Sequence, residues 1–152
     1  MRFALLIFYF AVCGCSVAAR DAPIERVELR ASGLNVIIKH DGKGRFEAGG
    51  PRVGRFDLGV GGFEHLRRSL AEFEKEAAPT DKTSRKFLET GCSKKLPQVT
   101  DAGMMSVRWV GTSLDIIYIA DFGCDYRRFA ERNLKLRNVL KSLPVPSPAT
   151  LP

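Results

Sequence analysis

Histidine is nearly missing from this chain: His40 and His65 are the only two in 152 residues. Cysteine is scarce too, with Cys13, Cys15, Cys92 and Cys124 and no C-x-x-C spacing among them. These shortages exclude the common structural zinc signatures, which need closely spaced Cys and His ligands. No G-x-S-x-G elbow is present to expose a nucleophilic serine. No GxxxxGK[ST] loop or strand-GxGxxG-helix arrangement is present to cradle a phosphate, although nine of the fourteen glycines fall between Gly33 and Gly62. Those glycines punctuate strands instead. Nor does any apolar run approach the roughly 20 residues that span a bilayer.

The longest apolar stretch sits at the start. Residues 3–12 (FALLIFYFAV) are an unbroken run of ten behind Arg2. A charged start, an apolar core of about 7–15 residues and a small-residue cleavage site make a secretory signal. Residues 1–19 are therefore expected to be removed on export. Val17-Ala18-Ala19 suits cleavage before Arg20, giving a periplasmic or secreted protein. Val12-Cys13-Gly14-Cys15 resembles the lipobox of bacterial lipoproteins, with an aliphatic residue three positions before a Cys and Gly directly before it. That resemblance implies a lipid anchor on Cys15 and a place on the periplasmic face of the outer membrane.

Either cut leaves Cys92 and Cys124 as the thiols of the mature chain. An even pair in an oxidising compartment predicts one disulfide, closing over the 31 residues between them. The mature length suits one domain with its own core. We read residues 20–25 as a tether, 26–143 as the domain and 144–152 as a disordered, proline-rich tail. Arg2 is the only charge in the signal, so its removal takes the formal net charge from +7 to +6. Residues 125–143 carry six basic and two acidic groups, and residues 78–96 carry five and two. Outside the cytosol, a basic face meets anionic headgroups or acidic polymers rather than genomic DNA.

Alternation predicts strands at Val27-Leu29-Ala31 and Leu34-Val36-Ile38, joined through Gly33. His40 to Gly44 supplies turn chemistry, and a three-residue loop, Asp41 to Lys43, would set Ile38 opposite Phe46 and Val36 opposite Ala48. Val53 to Leu58 reads as a fourth strand. Phe63, Leu66, Leu70 and Phe73 then form a helical stripe ending before Pro79, with Arg68 spaced to pair with Glu64 and Glu72. Residues 78–103 read as irregular apart from a helical turn near Phe87. Met105-Val107-Trp109 and Leu114-Ile116-Tyr118 alternate again, and a two-residue loop would set Trp109 opposite Leu114. Ile117 and Ile119 make the second of these strands apolar on both faces, which predicts a central position. Asp125 is a candidate N-cap for a last helix bearing Phe129, Leu136, Leu140 and Leu143. The order predicts an α+β fold: an antiparallel sheet of five or six strands with two amphipathic helices packed on one face.

Chemistry-bearing residues are few. His40 falls in a turn and His65 on the helix face away from its apolar stripe, so neither is assigned a catalytic role. Asp121 and Asp125 flank Cys124 without the look of a working acid pair. No catalytic residue, metal or cofactor is assigned. Arg128, Arg132 and Lys135, at i, i+4 and i+7, make a basic row suited to an anionic partner. No aromatic residues interleave with it, so nucleic acid is not the expected partner. The sequence thus predicts a small exported envelope protein, non-enzymatic, that binds a protein or an anionic envelope component. Two alternatives stand beside this. One is an enzyme inhibitor presenting His40 to Gly44 or Gly59 to Gly62, and the other is an envelope hydrolase using His40 or His65.

Overall fold

A computed structural model describes residues 23–90, 92–93 and 95–148. The signal, the Cys15 anchor site, the first part of the tether and the last four residues of the tail lie outside the described residues. The strands are β1 (Ile24–Ala31), β2 (Leu34–Lys39), β3 (Lys43–Ala48), β4 (Arg52–Asp57), β5 (Ala78–Pro79), β6 (Met104–Gly111) and β7 (Asp115–Asp121). The helices are α1 (Gly59–Glu76), α2 (Thr80–Thr90) and α3 (Ala130–Lys141). The class is α+β with one antiparallel sheet, in the order β4-β3-β2-β1-β6-β7-β5. It has seven strands and three helices, against five or six and two expected.

Strand alternation builds the core. Val27, Leu29, Val36, Ile38, Val107 and Trp109 point to one face and are almost wholly buried. Phe63, Leu66, Leu70 and Phe73 of α1 cover that face together with Leu136, Val139 and Leu140 of α3. Phe73 meets Tyr118 of β7 with ring centroids 5.3 Å apart. At the β4 edge two aromatic rings fill the space over two glycines. Phe46 pairs with Gly54 and Phe56 with Gly44, and a Cβ on either glycine would run into the facing ring.

Both hairpin registers differ from expectation by two residues. Ile38 faces Gly44 and Val36 faces Phe46, while Trp109 faces Ile116 and Val107 faces Tyr118. A shift of two keeps every side chain on its face, so the apolar pattern cannot detect it. The β2–β3 turn is set by Gly42, at φ 86°, and by Asp41, whose carboxylate accepts the Lys43 amide at 3.0 Å.

Several elements correct the sequence reading. α1 begins at Gly59, so Gly59 to Gly62 form its first turn rather than a loop. The Asp57 carboxylate accepts the Gly59 amide at 2.7 Å where the helix starts. Glu64 pairs with Arg67 at 3.7 Å, and Glu72 with Lys135 of α3 at 3.1 Å, in place of the expected pairs with Arg68. Residues 80–90 form α2 rather than irregular chain. Thr80 and Ser84 of α2 line a small cavity with Glu28, Arg30, Arg108 and Ile117, which places α2 on the sheet face opposite α1 and α3. β7 is not central. It lies second from the edge, and α2 explains its second apolar face. Asp125 does not cap α3. It sits at φ 43° in the preceding turn, and Phe129 occupies the cap position without a side-chain hydrogen bond.

Cys92 and Cys124 form a disulfide, with 5.4 Å between their Cα atoms. It ties the segment after α2 to the junction between β7 and α3, where Gln98 and Cys124 also make a β-bridge. After α3, Val145 packs against the core. β1 takes in Ile24 and Glu25 of the proposed tether.

Candidate functional site

Three helices cannot cover two faces of a seven-stranded sheet. Among the described residues, α2 shields the β7 side of the second face as far as Glu28 of β1, and the rest, out to β4, is left bare. Alternation puts Arg26, Arg30, Lys39, Lys43, Arg45 and Arg55 on that second face, against Glu28, Glu47 and Asp57. Two of the six cations are occupied: Arg26 pairs with Glu28 at 2.8 Å and Lys43 with Asp41 at 3.2 Å. The side chains of Arg30, Lys39, Arg45 and Arg55 have no ion pair or hydrogen bond among the described residues. Arg45 and Arg55 stand directly opposite each other across β3 and β4. Like charges in that position repel.

Under α2 the same face is bound into a network. Glu28 is 7% exposed, a carboxylate held by Arg26 and, at 3.3 Å, by Arg108. Arg108 also grips Asp115 in a fork, Nε to Oδ1 at 2.7 Å and Nη2 to Oδ2 at 2.6 Å. The Thr80 hydroxyl donates to Asp115 at 2.6 Å and fixes the start of α2. Hydrogen bonds from Arg108 chiefly pull the Asp115 pKa down to about 2, and the Asp115 carboxylate in turn pushes Arg108 up. The network pins α2 to the sheet.

At the far end of this face, between the β1–β2 and β3–β4 turns, lies an open cleft of about 750 Å³. One row of cross-strand neighbours runs along it: Glu47, Asn35, Arg30 and Ser106, from β3, β2, β1 and β6. Met104, 43% exposed, adds an apolar wall. The Asn35 side-chain oxygen is closed to solvent and has no hydrogen-bond partner among the described residues. Ser32, in the adjoining turn, sits at φ 28°, a conformation that costs a non-glycine residue energy.

The helix row expected to meet an anion lies in a groove between α1 and α3 and is mostly engaged inside the protein. Lys135 pairs with Glu72 at 3.1 Å and Glu131 at 3.2 Å. The hydrogen bonds it donates to Glu72 and then to Glu131 raise its pKa. Arg132 donates to the Asp121 carbonyl at 2.9 Å and to Asn133, with its guanidinium 4.1 Å from the Phe129 ring centroid. Arg128 lies over the same ring at 5.4 Å and makes no polar contact among the described residues. The groove also holds Tyr118, whose pKa burial raises.

His40 is exposed at the β2–β3 turn and His65 on the solvent side of α1, each without a side-chain hydrogen bond among the described residues. Asp121 accepts the Gly123 amide at 2.8 Å, a turn-forming role. No cluster of three or more metal-ligating side chains occurs among the described residues, and none of their helices is long and apolar enough to cross a membrane. Sequence reasoning missed Arg30, Asn35, Arg45, Glu47 and Arg55 as a group. Alternation marks each as facing away from the core, but only the register sets them side by side.

No family model matches the chain, and no curated protein or solved structure shows significant similarity to it.

Proposed function

We propose that this protein is a non-enzymatic binding module, exported from the cytosol, that rests its bare sheet face on a phosphate-bearing envelope surface. One observation carries the reading: Arg45 and Arg55 confront each other and neither is ion-paired among the described residues, although Glu47 lines the same hollow. A bound phosphate relieves that repulsion, and two forked guanidinia suit its geometry. The α3 row supports the reading less, because Lys135 and Arg132 already have partners. A Cys15 lipid would bring this face close to headgroups, since the nine residues from Cys15 to Pro23 reach at most about 30 Å.

The test uses protein carrying Cys15→Ala, which cannot be acylated, with vesicles of zwitterionic lipid, the same vesicles with phosphatidylglycerol, and lipopolysaccharide. Binding is expected to the anionic vesicles or to lipopolysaccharide and not to neutral vesicles. The two anionic arms separate a lipid headgroup from a polysaccharide-linked phosphate. Arg45→Glu with Arg55→Glu should abolish binding, and Arg128→Glu should leave most of it. Equal binding to neutral vesicles, or loss only with Arg128→Glu, would defeat the reading. A charge swap of the whole α3 row is a poorer test, because Lys135 and Arg132 also hold helix contacts.

A further inference from the structure

The cleft beyond Arg30 adjoins the hollow of the Arg45–Arg55 pair and shares Glu47 with it, but its chemistry differs. Its floor carries a cation, a carboxamide and an anion in a line. Arg30 is opposite Asn35 across β1 and β2, and Asn35 is opposite Glu47 across β2 and β3. One strand always intervenes between Arg30 and Glu47, so their Cα atoms are set about 9.6 Å apart, two strand spacings. They do not pair with each other, and neither has another ion-pair partner among the described residues. Between them the Asn35 oxygen is shut away from solvent without a donor. Leaving a buried acceptor without a donor is unfavourable. Rotation about χ2, a broad two-fold torsion, lets that carboxamide turn either its oxygen or its nitrogen upward.

We propose that this cleft binds a short peptide with free ends, its carboxylate on Arg30, its ammonium on Glu47 and its backbone amide on Asn35. Length is compatible with the match: an extended tripeptide spans roughly 10 Å, close to the Cα separation of the two residues. Volume supports it as well, since about 750 Å³ falls within the usual range of small-ligand sites, about 300–1,000 Å³. Met104 offers contact to an apolar side chain, and Ser106 adds a hydroxyl beside Arg30. A purely anionic ligand would leave Glu47 facing it with like charge, and a purely cationic one would meet Arg30. Only a ligand bearing both signs satisfies the row.

The test titrates the isotope-labelled, disulfide-bonded mature protein with trialanine, N-acetyl-trialanine and trialanine amide, followed by amide chemical shifts. Free trialanine should move the amides of Gly33, Asn35 and Gly49. Blocking either end should weaken binding about tenfold, the loss expected for one hydrogen bond to a charged group. Arg30→Gln should bind weakly and no longer distinguish the amide from the free acid. Glu47→Gln should likewise become blind to acetylation. Both side chains are exposed, and unchanged melting of the variants would show that the fold is intact. Should either variant unfold, the two blocked peptides decide alone. Equal binding of free and blocked peptides overturns the proposal, as do shifts confined to other regions or no shifts at all. Arg55→Glu should leave trialanine binding intact while removing vesicle binding, so the two sites fail separately.

Discussion

Reversing one charge at the β4 edge should make the protein more stable and less functional together. Arg55 sits opposite Arg45, and neither forms an ion pair among the described residues, although Glu47 and Asp57 lie two residues along on the same face. Arg55→Glu converts a repulsive cross-strand pair into an attractive one. Opposite-charge pairs in this position contribute roughly 0.2–1 kcal/mol, and like pairs cost a similar amount. The swing is therefore roughly 0.5–1.5 kcal/mol, and exposure and salt hold it to the lower half of that range. For a domain of this size, about 0.5–1 kcal/mol raises the melting midpoint by roughly 2–4 °C. The measurement is calorimetry at low salt and again near 1 M, where the Debye length shrinks to about 3 Å and the gain should vanish. Vesicle binding should fall in the same variant. If Arg55→Glu melts at or below the parent temperature in low salt, the repulsion is not real and the argument for an anion at this pair collapses.

Other perturbations probe the frame around the face. Replacing Cys92 and Cys124 by Ser should cost roughly 3–4 kcal/mol, the chain-entropy value for a closed loop of this length, and lower the denaturation midpoint; an unchanged midpoint would deny the bond its role. Asp115, with a folded pKa near 2, should contribute stability that is complete above about pH 4 and lost as pH falls toward 2. With 49% of its side chain exposed, solvent screening holds that contribution to the order of 1 kcal/mol. Asp115→Asn should flatten acid unfolding in that window, and an unaltered acid limb would contradict the assignment. Gly44→Ala should cost about 1–3 kcal/mol, because its Cβ displaces the Phe56 ring. Equal urea midpoints for this variant and the parent would show that the ring moves freely.

Much of the frame was legible from alternation. Val27, Leu29 and Ala31, then Leu34, Val36 and Ile38, announced their face, and the structure keeps every one of them there. What alternation fixes is parity, so both hairpins could slide by two residues without exposing an apolar group. Loop chemistry set the final register, through Gly42 and Asp41 in one hairpin and a four-residue connection in the other. α2 escaped notice because its segment is mostly polar and its support comes from Thr80 binding Asp115, a contact 35 residues distant. Asp125 had the chemistry of a cap but not the position, because the chain makes one more turn before α3 begins. The disulfide was readable once the export reading left Cys92 and Cys124 as the remaining pair.

The candidate site belongs to the part that register controls. Arg30 and Glu47 are 17 residues apart, and nothing in their spacing suggests a common row. A row of positive charge on a helix is visible in any sequence because its period is local, and α3 displays one. Visibility is not availability. Lys135 is held by Glu72 on another helix, and Arg132 by a carbonyl at the end of β7, so most of that charge is spent on docking α3. Cations on the bare sheet face escape this fate because no third helix covers β2 to β4. Their nearest neighbours are fixed by strand pairing rather than by rotatable loops, which sets Arg55, not an acid, directly opposite Arg45. The proposed binding therefore rests on what the helices leave uncovered, and adding a helix over β3 and β4 should silence it.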